Sequence, residues 1–77
     1  MNQVQCLNDL SPGQKARIRA LRSRESMRRR LLDIGLIEGT EVEGRGRSPG
    51  GDPSAFLIRG AVIALRREDC RDILVCP

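Results

Sequence analysis

The chain has 77 residues, which is enough for a single domain over residues 1–77 but not for two separate cores. Phe56 is its one aromatic residue, so aliphatic side chains must form the core, and the formal net charge of +4 favours an anionic partner. The sequence contains no apolar run near the roughly 18 residues of a membrane span and no signal-peptide pattern, so we expect a cytoplasmic protein.

The first part of the chain predicts an extended segment at residues 3–7, a turn at Leu-Ser-Pro-Gly 10–13, and then a strand. From residue 14 onwards Ala16, Ile18 and Ala20 alternate with basic residues. This period of two is typical of a strand that buries one face and exposes the other.

A short helix is predicted to follow that strand. Ser23 is the expected N-cap, and Gly35 is the expected left-handed residue that ends the helix. At about 100° per residue, Met27, Leu31 and Ile34 fall on one apolar stripe. A helix this short is unstable alone in water, so we expect the strands to cover this stripe.

The segment after the helix predicts a bent strand and a loop. Residues 40–47 are predicted to form a strand with Val42 facing inward. Gly44 and Gly46 interrupt the strand, and such glycines indicate a bulge or bend of the kind that curls a small sheet into a barrel. The stretch 48–53 is rich in glycine and proline, which predicts a mobile, exposed loop.

The last part predicts a hairpin, one helical turn and a final strand. A reversal at residues 59–61 should bring four alternating apolar residues onto one inner face, namely Phe56, Ile58, Ile63 and Leu65. Cys70 should point inward from a charged helical turn at 66–72, and Ile73 and Val75 should close the last strand. The predicted fold is mainly β: a small, partly open barrel of about five strands, with one short helix inserted after the first long strand.

The cysteine pattern argues against several kinds of site. The three cysteines, Cys6, Cys70 and Cys76, are an odd number without C-x-x-C spacing, which disfavours a disulfide framework or a zinc knuckle. The sequence also has no histidine, the commonest transition-metal ligand and an ordinary catalytic base. We therefore predict no catalytic residue, no metal ligand and no cofactor, with Cys70 acting as a small buried apolar residue.

Several motifs, in their order and spacing, resemble the FeoA family, small cytoplasmic companions of the bacterial ferrous iron transporter FeoB. The resemblance covers nearly the whole chain and rests on Leu-Ser-Pro-Gly at 10–13, Arg-Leu-Leu-Asp-Ile-Gly-Leu at 30–36, Gly-Thr at 39–40, Gly-Asp-Pro at 51–53, Arg-Gly at 59–60 and Ile-Ala-Leu-Arg at 63–66. Two positions depart from the family pattern. Glu38 stands where proline is common, and Cys70 stands where a small alanine is usual.

This resemblance implies an SH3-like domain without catalytic chemistry that supports ferrous iron uptake. The implied partner is the cytoplasmic G domain of a FeoB-like transporter, so contact with the membrane would be indirect. We expect no nucleic-acid partner, because small-barrel binders stack bases on several aromatic rings, whereas this sequence has no Trp, no Tyr and a single Phe. Exposed leucines also make weak self-association a possible property of the chain.

The contact surface is predicted from residues that break the alternation of apolar and polar positions. Leu32 lies about 140° from Met27 on the helix, beside the arginines. An apolar anchor with a charged rim is typical of a docking surface. The predicted partner-binding residues are Arg28, Arg29, Leu32, Gly35, Leu36 and Leu57.

Two alternative functions remain at this point. The chain could carry ferrous iron directly on Asp69, Asp72 or the cysteines, although their spacing gathers no full ligand set. It could also be a basic nucleic-acid-binding barrel that contacts phosphates through residues 28–30, in which case binding would weaken steeply with salt.

Overall fold

The computed structural model describes residues 5–77, which contain five strands, two helices and one 3₁₀ turn. In chain order these elements are the 3₁₀ turn Leu7–Asp9, β1 Lys15–Leu21, α1 Glu25–Asp33, β2 Glu41–Arg47, β3 Ser54–Ile58, β4 Ala61–Leu65, α2 Arg67–Cys70 and β5 Ile73–Cys76. The strands pair antiparallel in the order β4-β3-β2-β1-β5. The predicted mainly β fold, with a helix after the first long strand, is confirmed.

The core is formed by apolar side chains from every strand except β4, together with both helices. Among the described residues, no polar or charged residue is buried as a whole, although the hydroxyl oxygen of half-buried Ser23 is. The buried residues are Leu7, Leu10, Ala16, Ile18, Leu31, Leu36, Val42, Phe56, Ile58, Cys70, Ile73 and Val75. Ile63 and Leu65 of β4 are half-buried and pack against this core, so the predicted inner face of the hairpin is confirmed.

The start of the described chain is less extended than predicted. Residues 3 and 4 of the predicted extended segment lie outside the described residues. Cys6 forms an isolated bridge with Leu74, and the 3₁₀ turn then begins at Leu7. The Asp9 carboxylate accepts hydrogen bonds from the backbone N–H groups of Gln5 and Cys6 at 2.9 and 3.0 Å, and this closes the turn.

Strand β1 changes its inward side near its end. Ala16 and Ile18 are buried as predicted, but Ala20 is exposed and Leu21 packs against the core instead. The pairing between β1 and β5 shifts register between Ile18 and Ala20. The prediction that Ala20 faces inward is wrong, because an extra residue at a bulge reverses the alternation of side chains beyond it.

Strand β2 contains the bend that its glycines predict. Its pairing with β3 shifts register between Gly44 and Gly46. A side chain at Gly44 would overlap the backbone, since a Cβ there would lie 2.6 Å from the carbonyl oxygen of Ser11. The turn at residues 10–13 therefore crosses β2 at close range, and the Gly13 N–H donates to the Gly44 carbonyl at 2.7 Å.

Helix α1 begins one residue later than a Ser23 cap would place it. Arg24 is the N-cap, and it makes no side-chain hydrogen bond to the helix. The Ser23 hydroxyl is buried without a hydrogen-bond partner among residues 5–77, so the prediction of Ser23 as the cap is wrong. The approach to the helix is set instead by β pairing, because the Arg22 N–H donates to the Asp72 carbonyl at 2.7 Å.

Helix α1 ends in a Schellman motif. Gly35 has a φ of +98°. Its N–H donates to the Leu32 carbonyl, and the Leu36 N–H donates to the Leu31 carbonyl, both at 3.0 Å. These two bonds satisfy carbonyls that the helix end would otherwise leave without partners. The predicted termination at Gly35 is confirmed.

The loop between β2 and β3 is connected to helix α2. A carboxylate oxygen of Asp52 accepts a hydrogen bond from the Arg67 N–H at 3.0 Å, at the start of α2. The side-chain amide of Asn8 donates to the Arg67 carbonyl, also at 3.0 Å. Three segments distant in sequence therefore meet at Arg67, and α2 presents Cys70 to the core as predicted.

Candidate functional site

The outward face of α1 carries an exposed leucine between arginines. The side chain of Leu32 is 37% exposed, whereas that of Leu31 is only 2% exposed. Arg28 and Arg29 are both exposed. Within residues 5–77 the one ion pair lies on β2, so neither arginine forms an ion pair with a carboxylate of the described chain.

The C-terminal end of α1 contacts the turn between β3 and β4. A side-chain carbon placed on Gly35 would overlap Cδ of Arg59, so the arginine side chain lies directly over the glycine. The Thr40 hydroxyl donates to the Gly35 carbonyl at 3.0 Å from the other side. Gly35 is therefore a half-buried joint between helix and sheet, and it has no side chain to offer a partner.

Leu36 does not lie on the exposed surface. Its side chain is entirely buried. The Schellman motif explains this burial, because the residue after the left-handed glycine turns back toward the helix and packs near its last turn, here against the core that contains Leu31. The Leu36 side chain therefore cannot contact a partner in the folded protein, and Leu36 does not belong to the predicted contact surface.

Leu57 lies apart from the helix face. It is half-buried on the outer side of the sheet, opposite Glu43 on β2 and Val62 on β4. It contributes to a groove of about 570 Å³, which contains no residue of α1 and is lined by residues 37–41, Glu43, Leu57, Arg59 and Gly60. The six predicted residues thus separate into three on α1, two in the joint that follows it, and one in this groove.

A second groove was not predicted from the sequence. It also has a volume of about 570 Å³ and lies between α1 and β4, where Met27 and Ile34 face Ile63 and Leu65. Ile34 is 39% exposed, so the prediction that it is buried with Leu31 is wrong. Ile34 is the C-cap residue, and at this end the helix leaves a gap above the edge of the sheet. The groove exists because of the distance between the helix and the edge strand, and the periodicity of apolar residues in the sequence does not reveal that distance.

The cysteines and aspartates do not form a compact cluster. Among residues 5–77 no group of three or more cysteine, aspartate and glutamate side chains is close enough to hold a metal ion. Burial raises the pKa of Cys70 to about 12, with a smaller contribution from the charge of Asp69. The Cys70 thiol therefore stays protonated near neutral pH, which makes it a poor metal ligand or nucleophile. Cys76 is exposed, and Cys6 is intermediate.

A family model for the FeoA domain matches residues 5–77. The chain belongs to the FeoA family. The resemblance seen in the sequence motifs is thereby confirmed. A comparison with curated protein sequences gave no significant match. No helix in the described part of this FeoA chain is both long and apolar enough to cross a membrane.

Solved FeoA structures superpose closely on this chain. The FeoA protein of Chlorobium tepidum is 30% identical, covers 92% of this chain and is itself covered over 68% of its length, with a TM-score of 0.87. A FeoA-like protein of Clostridium acetobutylicum is 33% identical, with coverages of 97% and 87% and a TM-score of 0.83. The zinc complex of Stenotrophomonas maltophilia FeoA, described as an SH3 domain protein, is 24% identical, with coverages of 91% and 87% and a TM-score of 0.81. The fold is SH3-like.

Proposed function

We propose that this protein is a cytoplasmic, non-catalytic accessory factor of ferrous iron uptake that binds the G domain of a FeoB-like transporter. Two facts support the proposal: membership of the FeoA family, and the description of the Stenotrophomonas maltophilia relative, for which a role as a ferrous iron transport activating factor is suggested. The proposed contact surface is the outward face of α1, formed by Arg28, Arg29 and Leu32.

The observation that carries this proposal is the exposed leucine on a helix whose C-terminal end is fixed. Leu32 is 37% exposed one position after a residue that is 2% exposed. Its carbonyl is held by the Gly35 N–H at 3.0 Å. Burying such a leucine in a partner can contribute about 1–2 kcal/mol, and little ordering of the backbone would be needed on binding.

The arginines around Leu32 favour an acidic partner surface. Exposed charges mainly raise the association rate and select the orientation of the partner, whereas the apolar anchor mainly slows dissociation. We therefore expect the affinity to fall moderately with salt. Replacing Arg28 or Arg29 should reduce the association rate more than it increases the dissociation rate.

The test is an NMR titration of the isotope-labelled protein with the purified cytoplasmic domain of the transporter, with and without GTP. We expect shifts concentrated on the last two turns of α1, and a loss of affinity of at least tenfold for Leu32→Asp, because a charge would be placed at the anchor. Val62→Asp is the matched control, since Val62 is a more exposed apolar residue, at 61%, on strand β4.

The two variants separate the possible outcomes. If Leu32→Asp remains folded and binds the transporter domain with unchanged affinity, the α1 surface is not the docking site. If Val62→Asp instead removes binding, the transporter contacts the sheet edge rather than the helix. If neither variant alters binding and the wild-type spectrum does not change on adding the domain, the proposed partnership itself is wrong.

A further inference from the structure

Strand β4 is one edge of the sheet, and within the described residues it pairs with β3 alone. The two strands are joined by a two-residue turn, in which Arg59 and Gly60 have φ values of 50° and 83°. Two positive φ values are the mark of a type I′ hairpin turn. In such a hairpin the residues that flank the turn, here Ile58 and Ala61, form a hydrogen-bonded pair, and this sets the pattern along the whole ladder.

The ladder pattern determines which backbone groups face outward. Ala61, Ile63 and Leu65 lie opposite Ile58, Phe56 and Ser54, in the positions that bond to β3. The N–H and C=O groups of Val62 and Ala64 therefore point away from the sheet. No hydrogen bond found outside the strand ladders within residues 5–77 uses these groups. The edge thus presents two donors and two acceptors in register.

Six of the ten residues that line the groove beside this edge are apolar. On the inner side of β4, the side chains of Ile63 and Leu65 face Met27 and Ile34 of α1 across a groove of about 570 Å³. Residues 61–65 include no charged residue and no proline. Such features normally protect an edge from pairing with another chain, and this edge lacks them.

The charges at the two ends of β4 determine which occupant fits. Arg59 precedes the strand, and Arg66 and Arg67 follow it. A second copy pairing antiparallel through its own β4 would place Arg59 of one chain beside Arg66 and Arg67 of the other, which is repulsive. The groove is also lined by Arg30, Asp33 and Asp69. With Arg59, Arg66 and Arg67 this gives four arginines against two aspartates, so the net charge favours an acidic segment.

We propose that the β4 edge binds an extended apolar segment of a partner protein, flanked by acidic residues, as a sixth strand of the sheet. The segment pairs with Val62 and Ala64 through its backbone, places alternate apolar side chains against Ile63 and Ile34, and sets its acidic ends against the arginines. This mode of binding is β-strand addition, in which main-chain bonds supply affinity and side-chain positions supply specificity. The surface is separate from the α1 face and does not depend on the proposed function.

The probe is a synthetic peptide, Asp-Asp-Val-Ile-Val-Ile-Asp-Asp, titrated into the isotope-labelled full chain. We expect downfield shifts and slower hydrogen exchange at the amides of Val62 and Ala64, because these N–H groups gain partners. A peptide with lysine ends should bind about three- to tenfold more weakly. A peptide with proline in place of its central residues should not bind, because proline cannot donate to a ladder.

Variants of the protein test the same mechanism. Ala64→Pro removes an outward donor while leaving the ladder with β3, and it should lose peptide binding while cross-strand contacts between β3 and β4 persist. Arg66→Glu should weaken binding of the acidic peptide about three- to tenfold. Arg29→Glu changes the net charge equally but lies on the outward face of α1, and it should leave peptide binding unchanged.

Three results would overturn this proposal. The first is a set of peptide-induced shifts that avoids Val62 and Ala64. The second is binding of the proline peptide with the same affinity as the original acidic peptide. The third is a concentration-dependent shift of the β4 amides without peptide, because the occupant would then be a second copy of the chain. Leu32→Asp should leave peptide binding intact, so failure here is distinguishable from failure of the α1 docking surface.

Discussion

Replacing Gly35 by alanine tests how the helix is joined to the sheet. At a φ of +98°, an L-residue with a Cβ is strained by about 1–2 kcal/mol relative to glycine. The new Cβ would also overlap Cδ of Arg59, but that side chain is long and flexible and can move aside at small cost. We therefore expect Gly35→Ala to lower the free energy of unfolding by about 1.5 kcal/mol, mostly through the backbone. For a domain of this size the loss corresponds to a fall in Tm of roughly 6–12 °C.

The assay is urea unfolding followed by circular dichroism, repeated in an Arg59→Ala background. Because most of the cost comes from backbone conformation, Gly35→Ala should remain destabilising by about 1 kcal/mol without the arginine side chain. Gly50→Ala is the control, since a Cβ at Gly50 would have no neighbouring atom within 4 Å and the φ of Gly50 is not left-handed. The stability of this variant should be unchanged or slightly raised. A loss at Gly35 below about 0.5 kcal/mol, or one that vanishes in the Arg59→Ala background, would refute this reasoning.

Three further predictions concern polar and thiol groups. Ser23→Ala should be neutral or slightly stabilising in thermal unfolding, because the buried hydroxyl has no partner among the described residues; a true helix cap would lose about 1 kcal/mol. The pKa of Asp9 is lowered by hydrogen bonds from the backbone of Gln5 and Cys6. The stabilisation that the ionised Asp9 carboxylate contributes should thus be present at neutral pH and be lost as the pH falls below the ordinary pKa of 3.8. The free energies of unfolding of the wild type and of Asp9→Asn should therefore converge in an acid titration. Mass spectrometry after brief maleimide treatment should find Cys76 modified first and Cys70 unmodified in the folded protein; rapid modification of Cys70 would contradict its burial.

The hairpin and the inward residues of the strands could be predicted from the sequence. Alternation of apolar residues on both sides of Arg59 and Gly60 identifies β3, β4 and the turn between them, because side-chain direction in a strand has a period of two. The same pattern identifies Val42 on β2 and Ile73 on β5 as inward residues. Local chemistry also locates the end of α1, since few residues other than glycine adopt the conformation that Gly35 has.

The errors arise where tertiary pairing overrides the local pattern. Alternation alone predicts an inward Ala20. The prediction fails because the bulge in β1 depends on the register of β1 with β5, which the sequence of one strand does not reveal. Residue type alone predicts Ser23 as the helix cap. The sequence does not reveal the hydrogen bond between Arg22 and Asp72 that sets the approach to the helix, because it joins residues far apart in the chain. Likewise, the predicted surface includes Leu36 because the pattern shows a corner after Gly35 without showing which way that corner turns.

The two ends of α1 differ in how firmly they are closed. Its first turn has no side-chain cap, whereas its last turn is closed by two backbone hydrogen bonds and rests against Arg59. Opening of the helix should therefore begin at Glu25 and stop before Leu32, giving a gradient of amide exchange along only nine residues. The proposed anchor stands at the rigid end of this gradient. A binding protein gains affinity when its contact residue is already ordered before the partner arrives, and here a left-handed glycine beyond the helix provides that order.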